Sequence, residues 1–150
     1  MKFKIERIPS HKIAYFRNVG PYGLGNFETM ATLKKWAKEN ELLKDSIIFA
    51  RIHDNPNITP PENCRYDACH VIDESFKIKD PLINEGIIDS GKYAVIEIDH
   101  NEAAVQVAWR YIFKAIANKT LEYNQSKTIL ERYKFALVKK NKCEICVPIK

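Results

Sequence analysis

The chain has 150 residues, 45% of them apolar and 29% charged, which suits one soluble globular core and excludes a disordered or fibrous protein. Its net charge of +5 comes from lysines scattered along the chain, the densest group being Lys139, Lys140 and Lys142, and no helix-turn-helix, zinc-finger or basic-region pattern accompanies them, so no direct DNA binding is expected. The apolar runs all fall short of the ~20 residues that cross a bilayer, and the start Met1 to Ile8 mixes charge with apolar residues where a secretory segment would not; a cytoplasmic protein with no membrane partner is expected.

Lys2 to Arg7 alternates apolar and charged residues, and after Pro9-Ser10-His11 the run Lys12 to Arg17 also has strand character. Gly20-Pro21-Tyr22-Gly23-Leu24-Gly25 predicts a turn. From Asn26 the residues Phe27, Met30, Leu33, Trp36 and Ala37 recur at the period of a helix face, ending near Glu39 or Asn40. Ser46 to Ile52 predicts a strand, Asp54 to Asn63 a loop rich in proline and asparagine, and Arg65 to Ile72 another strand. Glu74 to Glu85 reads as a linker. Ser90-Gly91 then opens a strand from Lys92 to Ile98, and Asn101 caps a helix to Asn118 that carries Val105, Ala108, Trp109, Ile112, Phe113 and Ile116 at helical spacing. Strands at Ile129 to Val138 and Cys143 to Ile149, joined by the lysine-rich turn, close the chain.

The order strand, helix, strand, strand thus occurs twice, and the stretch from Ala14 to Asp67 resembles that from Ala94 to Glu144. The expectation is a single α+β domain over residues 1–150, with duplicated βαββ units at about 1–75 and 86–150. An antiparallel sheet would carry the two helices on one face and a ligand groove on the other.

Four cysteines, Cys64, Cys69, Cys143 and Cys146, raise the question of a metal or redox site. Residues three apart on a strand point to opposite faces, so Cys143 and Cys146 neither chelate one zinc nor close a dithiol, and Cys64 and Cys69 are no better placed. Reduced structural thiols are expected, and no metal. His11, His53, His70 and His100 show no ligand spacing either.

In the closing strand Cys143, Ile145, Val147 and Ile149 form a wholly apolar face, which belongs against the helices; Glu144 then projects to the opposite face with Cys146 and Pro148. In the strand before it Glu131, Tyr133 and Phe135 alternate on one side, and Asp67, between Arg65 and Tyr66, is the counterpart of Glu144 in the first half. Acids on strands most often face solvent. Beside aromatic rings on a concave surface they instead offer a counter-charge and a cation–π surface to an organic cation.

The blocks Ile13-Ala14-Tyr15-Phe16-Arg17-Asn18-Val19-Gly20-Pro21-Tyr22, Trp36, Phe49 to Pro56, Thr59-Pro60, Cys64 to Cys69 and Glu144 to Ile149 together resemble the GyrI-like small-molecule-binding family. That family also supplies effector-binding domains of multidrug-sensing transcription activators and is related to the SOUL haem-binding fold. The resemblance implies two pseudo-symmetric βαββ halves and a pocket where a glutamate and aromatic side chains receive bulky, often cationic, compounds. Carried over, Glu144 and Glu131 are the acids, and Tyr15, Tyr66, Trp109 and Tyr133 the aromatic positions. The chain departs from the family at His100-Asn101-Glu102, where many members have a second Gly-Pro-Tyr-like turn.

Two functions follow from the resemblance. One is a stand-alone binder, monomer or weak dimer, that senses or sequesters lipophilic, cationic aromatic ligands without a cofactor. The alternative is a hydrolase of electrophilic small molecules, with Glu144 or Glu131 as general base and Tyr133 or Tyr66 as proton donor. An inhibitor of a topoisomerase would need an acidic surface, which the net charge of +5 opposes. Haem would need an axial ligand that the sequence does not nominate.

Overall fold

The computed structural model describes residues 2–150. Alternating residues form β1 (Lys4–Ile8) and β2 (His11–Val19), and the first helical stripe forms α1 (Leu24–Glu39). Then come β3 (Ile47–Ile52), a 3-10 turn at Pro61–Asn63, β4 (Arg65–Val71) and β5 (Asn84–Ile88). The second half continues with β6 (Gly91–Asp99), α2 (Glu102–Asn118), β7 (Ile129–Lys134), the short α3 (Phe135–Val138) and β8 (Lys142–Pro148).

The eight strands make one antiparallel sheet in the order β1-β6-β8-β7-β3-β4-β2-β5. The two halves, β2-α1-β3-β4 and β6-α2-β7-β8, have like order and meet where β3 pairs with β7. Two differences from the sequence reading matter. The last two residues of the expected linker, Asn84 and Glu85, open β5, a five-residue strand that the sequence reading does not contain. The strand expected to run to Val138 stops at Lys134, so Phe135 belongs to a helical turn and does not extend the row of Glu131 and Tyr133.

Pro9 and Ser10 alone join β1 to β2, and Asp89 and Ser90 alone join β5 to β6. Such links reach at most about 11 Å. Yet β1 pairs with β6 and β5 with β2, at opposite ends of the sheet. The ends of the sheet are therefore brought together and the sheet curls into a half-barrel, each half lending its first strand to the other.

Both helices pack on the outer face of this curl. Leu33, Trp36 and Ala37 of α1 lie on Ala14, Ile48, Ala50 and Ala68, whose small side chains let the helix approach closely. In α2 the stripe Ala108, Ile112 and Ile116 lies on Ala94, Ile96, Ile145 and Val147, as expected for the apolar face of β8. The inner face packs on itself: Ile8, Ile13, Phe49, Cys69, Ile88, Tyr93, Leu130 and Cys146 supply one buried side chain from each strand. The face opposite the helices, where the ligand groove is expected, carries a cavity of about 230 Å³ beside Arg51, Ile88 and Tyr93; two larger cavities lie on the other side, between the helices. Among the described residues no helix is long and apolar enough to cross a membrane.

Candidate functional site

Where α1 and α2 diverge over β3 and β7, a two-lobed cleft is left. One lobe, about 420 Å³, lies between the first turns of the two helices and is floored by Tyr66, Glu131 and Tyr133. The other, about 690 Å³, reaches from Ile52 and Ile129 to Trp109, Phe113 and Tyr123. Both volumes fall within the usual range of small-molecule sites. Glu131 and Asn26 border both lobes.

Strand register explains why Glu131 sits at the centre. It pairs with Ala50 across the β3–β7 junction, where the two halves meet, and on the other side with Ile145 of β8. The cross-strand neighbours thus place Glu131 on the helix-bearing face among apolar side chains. It accepts a hydrogen bond from Tyr133 Oη at 3.2 Å, and among the described residues no cation is within salt-bridge distance of it. Burial raises the pKa of its carboxyl above the ordinary value, because the ionised form loses hydration that one phenol does not replace. Burial and the nearby Glu131 carboxylate likewise push the phenols of Tyr133 and Tyr66 above their usual range.

Glu144 has a different position. Alternation does put it on the face opposite the helices, but that face is the closed interior of the curl. There Arg132 Nε donates to Glu144 Oε1 at 2.8 Å, and the same guanidinium donates to both oxygens of Glu6 at 2.7 and 3.0 Å. The first half repeats this pairing. Asp67, directly across from Arg51 as Glu144 is from Arg132, accepts from Arg51 Nε at 3.0 Å. Arg17 holds it through two further bonds of 2.7 and 3.0 Å, and His53 Nε2 lies 2.6 Å away. Burial alone would raise the Asp67 pKa; the bonds from His53 and Arg17 outweigh it and hold the carboxyl below its ordinary value. Each half thus has a buried acid neutralised by an arginine on the adjacent strand.

Of the six side chains singled out in the sequence, Glu131, Tyr133 and Tyr66 meet in the smaller lobe, and Trp109 lines the larger. Glu144 and Tyr15 do not join them. Tyr15 faces the interior of the curl, under the guanidinium groups of Arg51 and Arg17 at 5.1 and 5.6 Å from its ring. The Cys143 and Cys146 side chains are buried as free thiols, Cys146 in the inner core.

The cleft also has walls that strand alternation does not single out. Asn26, Phe27 and Met30 come from the first turns of α1, and Phe27 is 70% exposed, where a core residue of the helix would be buried. At 100° per residue Phe27 lies half a turn from Trp36, an offset that separates cleft from core. His100-Asn101-Glu102 forms the opposite rim, and Asn101 caps α2 by accepting from Ala104 N at 2.8 Å.

A family model described as the GyrI-like small molecule binding domain matches residues 1–150. A relative in Bacillus subtilis (strain 168), named SPbeta prophage-derived putative transcriptional regulator YosT, is 42% identical over 150 residues, covering 99% of either chain. Among solved structures, SAV2435 bound to tetraphenylphosphonium superposes with a TM-score of 0.66 at 16% identity, over 100% of this chain and 94% of that one. EcmrR in its complex with DNA gives a TM-score of 0.69 at 14% identity over 99% of this chain, which spans 57% of the EcmrR chain.

Proposed function

This chain belongs to the GyrI-like small-molecule-binding family, and from that premise we propose that it senses or sequesters lipophilic cationic aromatic compounds in the cleft between α1 and α2, with Glu131 as their counter-charge. The observation that carries the reading is a carboxylate enclosed by Tyr66 and Tyr133 and joined to no protein cation among the described residues. An organic cation supplies the missing charge, and aromatic rings on both sides of Glu131 cover its apolar arms. A fold shared with a protein that has been solved with tetraphenylphosphonium supports the ligand class. The naming of the Bacillus relative as a regulator supports sensing.

Tetraphenylphosphonium and the neutral triphenylphosphine oxide, titrated calorimetrically into the wild-type chain and Glu131→Gln, test this. Loss of the charge should weaken the cation about tenfold to a hundredfold and leave the neutral compound within a factor of about two. Equal weakening of both would reduce Glu131 to a shaping residue.

The Glu131–Tyr133 bond favours one second reading. In a hydrolase, Glu131 would take a proton from water as its oxygen attacks a strained ring carbon, and Tyr133 would protonate the departing ring oxygen. Diol formation from styrene oxide, lost in both Glu131→Gln and Tyr133→Phe, would move this reading to first place.

A further inference from the structure

Asn26 is the second polar residue bordering both lobes of the cleft, and its Oδ1 is buried without a hydrogen-bond partner. We propose that the cation held at Glu131 bears N–H donors that bridge Glu131 and Asn26, so that the ligand class is a protonated aromatic amine, amidine or guanidine, selected over a quaternary onium. The inference rests on the cation-binding reading above and narrows it.

The argument is one of satisfied acceptors. A carboxylate accepts about four hydrogen bonds, and Glu131 receives one, from Tyr133. The Asn26 carbonyl oxygen receives none. Asn26 is placed here by its backbone: it stands in the first turn of α1, with its N–H donating to Gly23 O at 3.0 Å. The last torsion of asparagine is soft, so its amide oxygen turns toward a ligand without breaking a bond at that atom. An ammonium has three donors and a guanidinium five, enough to serve both residues. A quaternary nitrogen or phosphorus is wrapped in carbon. It satisfies Glu131 by charge alone, while its bulk keeps water from Asn26 and leaves that oxygen unpaired.

The other charged groups on the walls do not take over this selection. Lys34 repels any cation alike, burial and Lys34 lower the His100 pKa so that its ring is uncharged at pH 7, Glu102 stands at the rim, and Asp54 is bound by Arg65 through bonds of 2.8, 3.0 and 3.0 Å. Among the described residues Glu131 and Asn26 alone border both lobes, so they are the acceptors that a cation seated at the junction meets together.

The test uses 4-phenylbenzylammonium and its N,N,N-trimethyl analogue, titrated calorimetrically at pH 7 into the full chain. The primary ammonium should bind about tenfold tighter to the wild-type protein. Asn26→Leu should shrink the preference by weakening the ammonium alone, leaving the part that Glu131 carries, and Asn26→Asp, which keeps an oxygen acceptor, should retain it. Should the leucine variant not fold, Asn26→Ala gives the same comparison. Equal affinities in the wild type overturn the inference and leave the cation reading standing. A preference undiminished in Asn26→Leu rests on Glu131 or on size alone and also overturns the bridge, whereas failure of both probes to bind overturns the cation reading with it.

Discussion

Glu131 and Glu144 occupy neighbouring strands, yet their surroundings give the two carboxylates opposite chemistry. Glu144 sits beside Arg132 in the interior, so Glu144→Gln should cost about 2 kcal/mol of stability, measured by urea unfolding, while leaving cation affinity unchanged. Glu131 meets no such partner, and its pKa stands above the ordinary 4.5 in the folded chain. A bound cation favours the ionised form. Between 4.5 and that raised value binding releases a proton, so cation affinity should fall as the pH is lowered through this range, and Glu131→Gln should flatten the profile. Stability moves the same way only for the acids of opposite shift. The bond from Arg132 holds the Glu6 carboxyl at about 2, so its contribution is complete above 4.5 and is lost as the pH falls through about 2. For Glu131 the folded chain holds its proton more tightly than the unfolded one does, and stability declines as the pH rises from 4.5.

At the scale of elements, the two helices begin differently. Asn101 supplies a side-chain cap for α2, whereas α1 starts from Gly23 at φ 141° and ψ −120°, a conformation that L side chains rarely adopt. Space around a Cβ there is open, so Gly23→Ala should act through backbone strain and lower stability by about 1 to 3 kcal/mol, readable as a shift in the thermal midpoint. The elements were largely legible in the sequence, because helix period and strand alternation are local. Alternation in β8 correctly separates Glu144 from Ile145 and Val147. What it does not encode is whether the face that receives Glu144 is open. That depends on the curl, which in turn depends on β5, five residues whose Asn-Glu-Gly start carries little strand signal. The same long-range pairing decides that Tyr15 faces the interior and that Glu131, equally acidic and equally alternating, faces the cleft.

For the whole molecule, the exchange of β1 and β5 means that neither half completes its sheet alone. Fragments 1–79 and 80–150, made separately, should lack the circular dichroism of the whole chain and regain it on mixing; a first fragment folded by itself would show that β5 is dispensable to the first half. The four free thiols add a measure of how the closed curl breathes. Burial pushes their proton affinity up, Cys143 to about 11 and Cys146 to about 12, so each is inert until its surroundings open. Cys146 is sealed in the interior, but Cys143 lies close enough to Glu131 for that carboxylate's charge to act on it. Labelling by a thiol reagent therefore becomes a pair of clocks in one chain, one timing the parting of the sheet's ends and the other the loosening of the cleft floor. A molecule seated in the cleft should slow the second clock and leave the first running at its own rate.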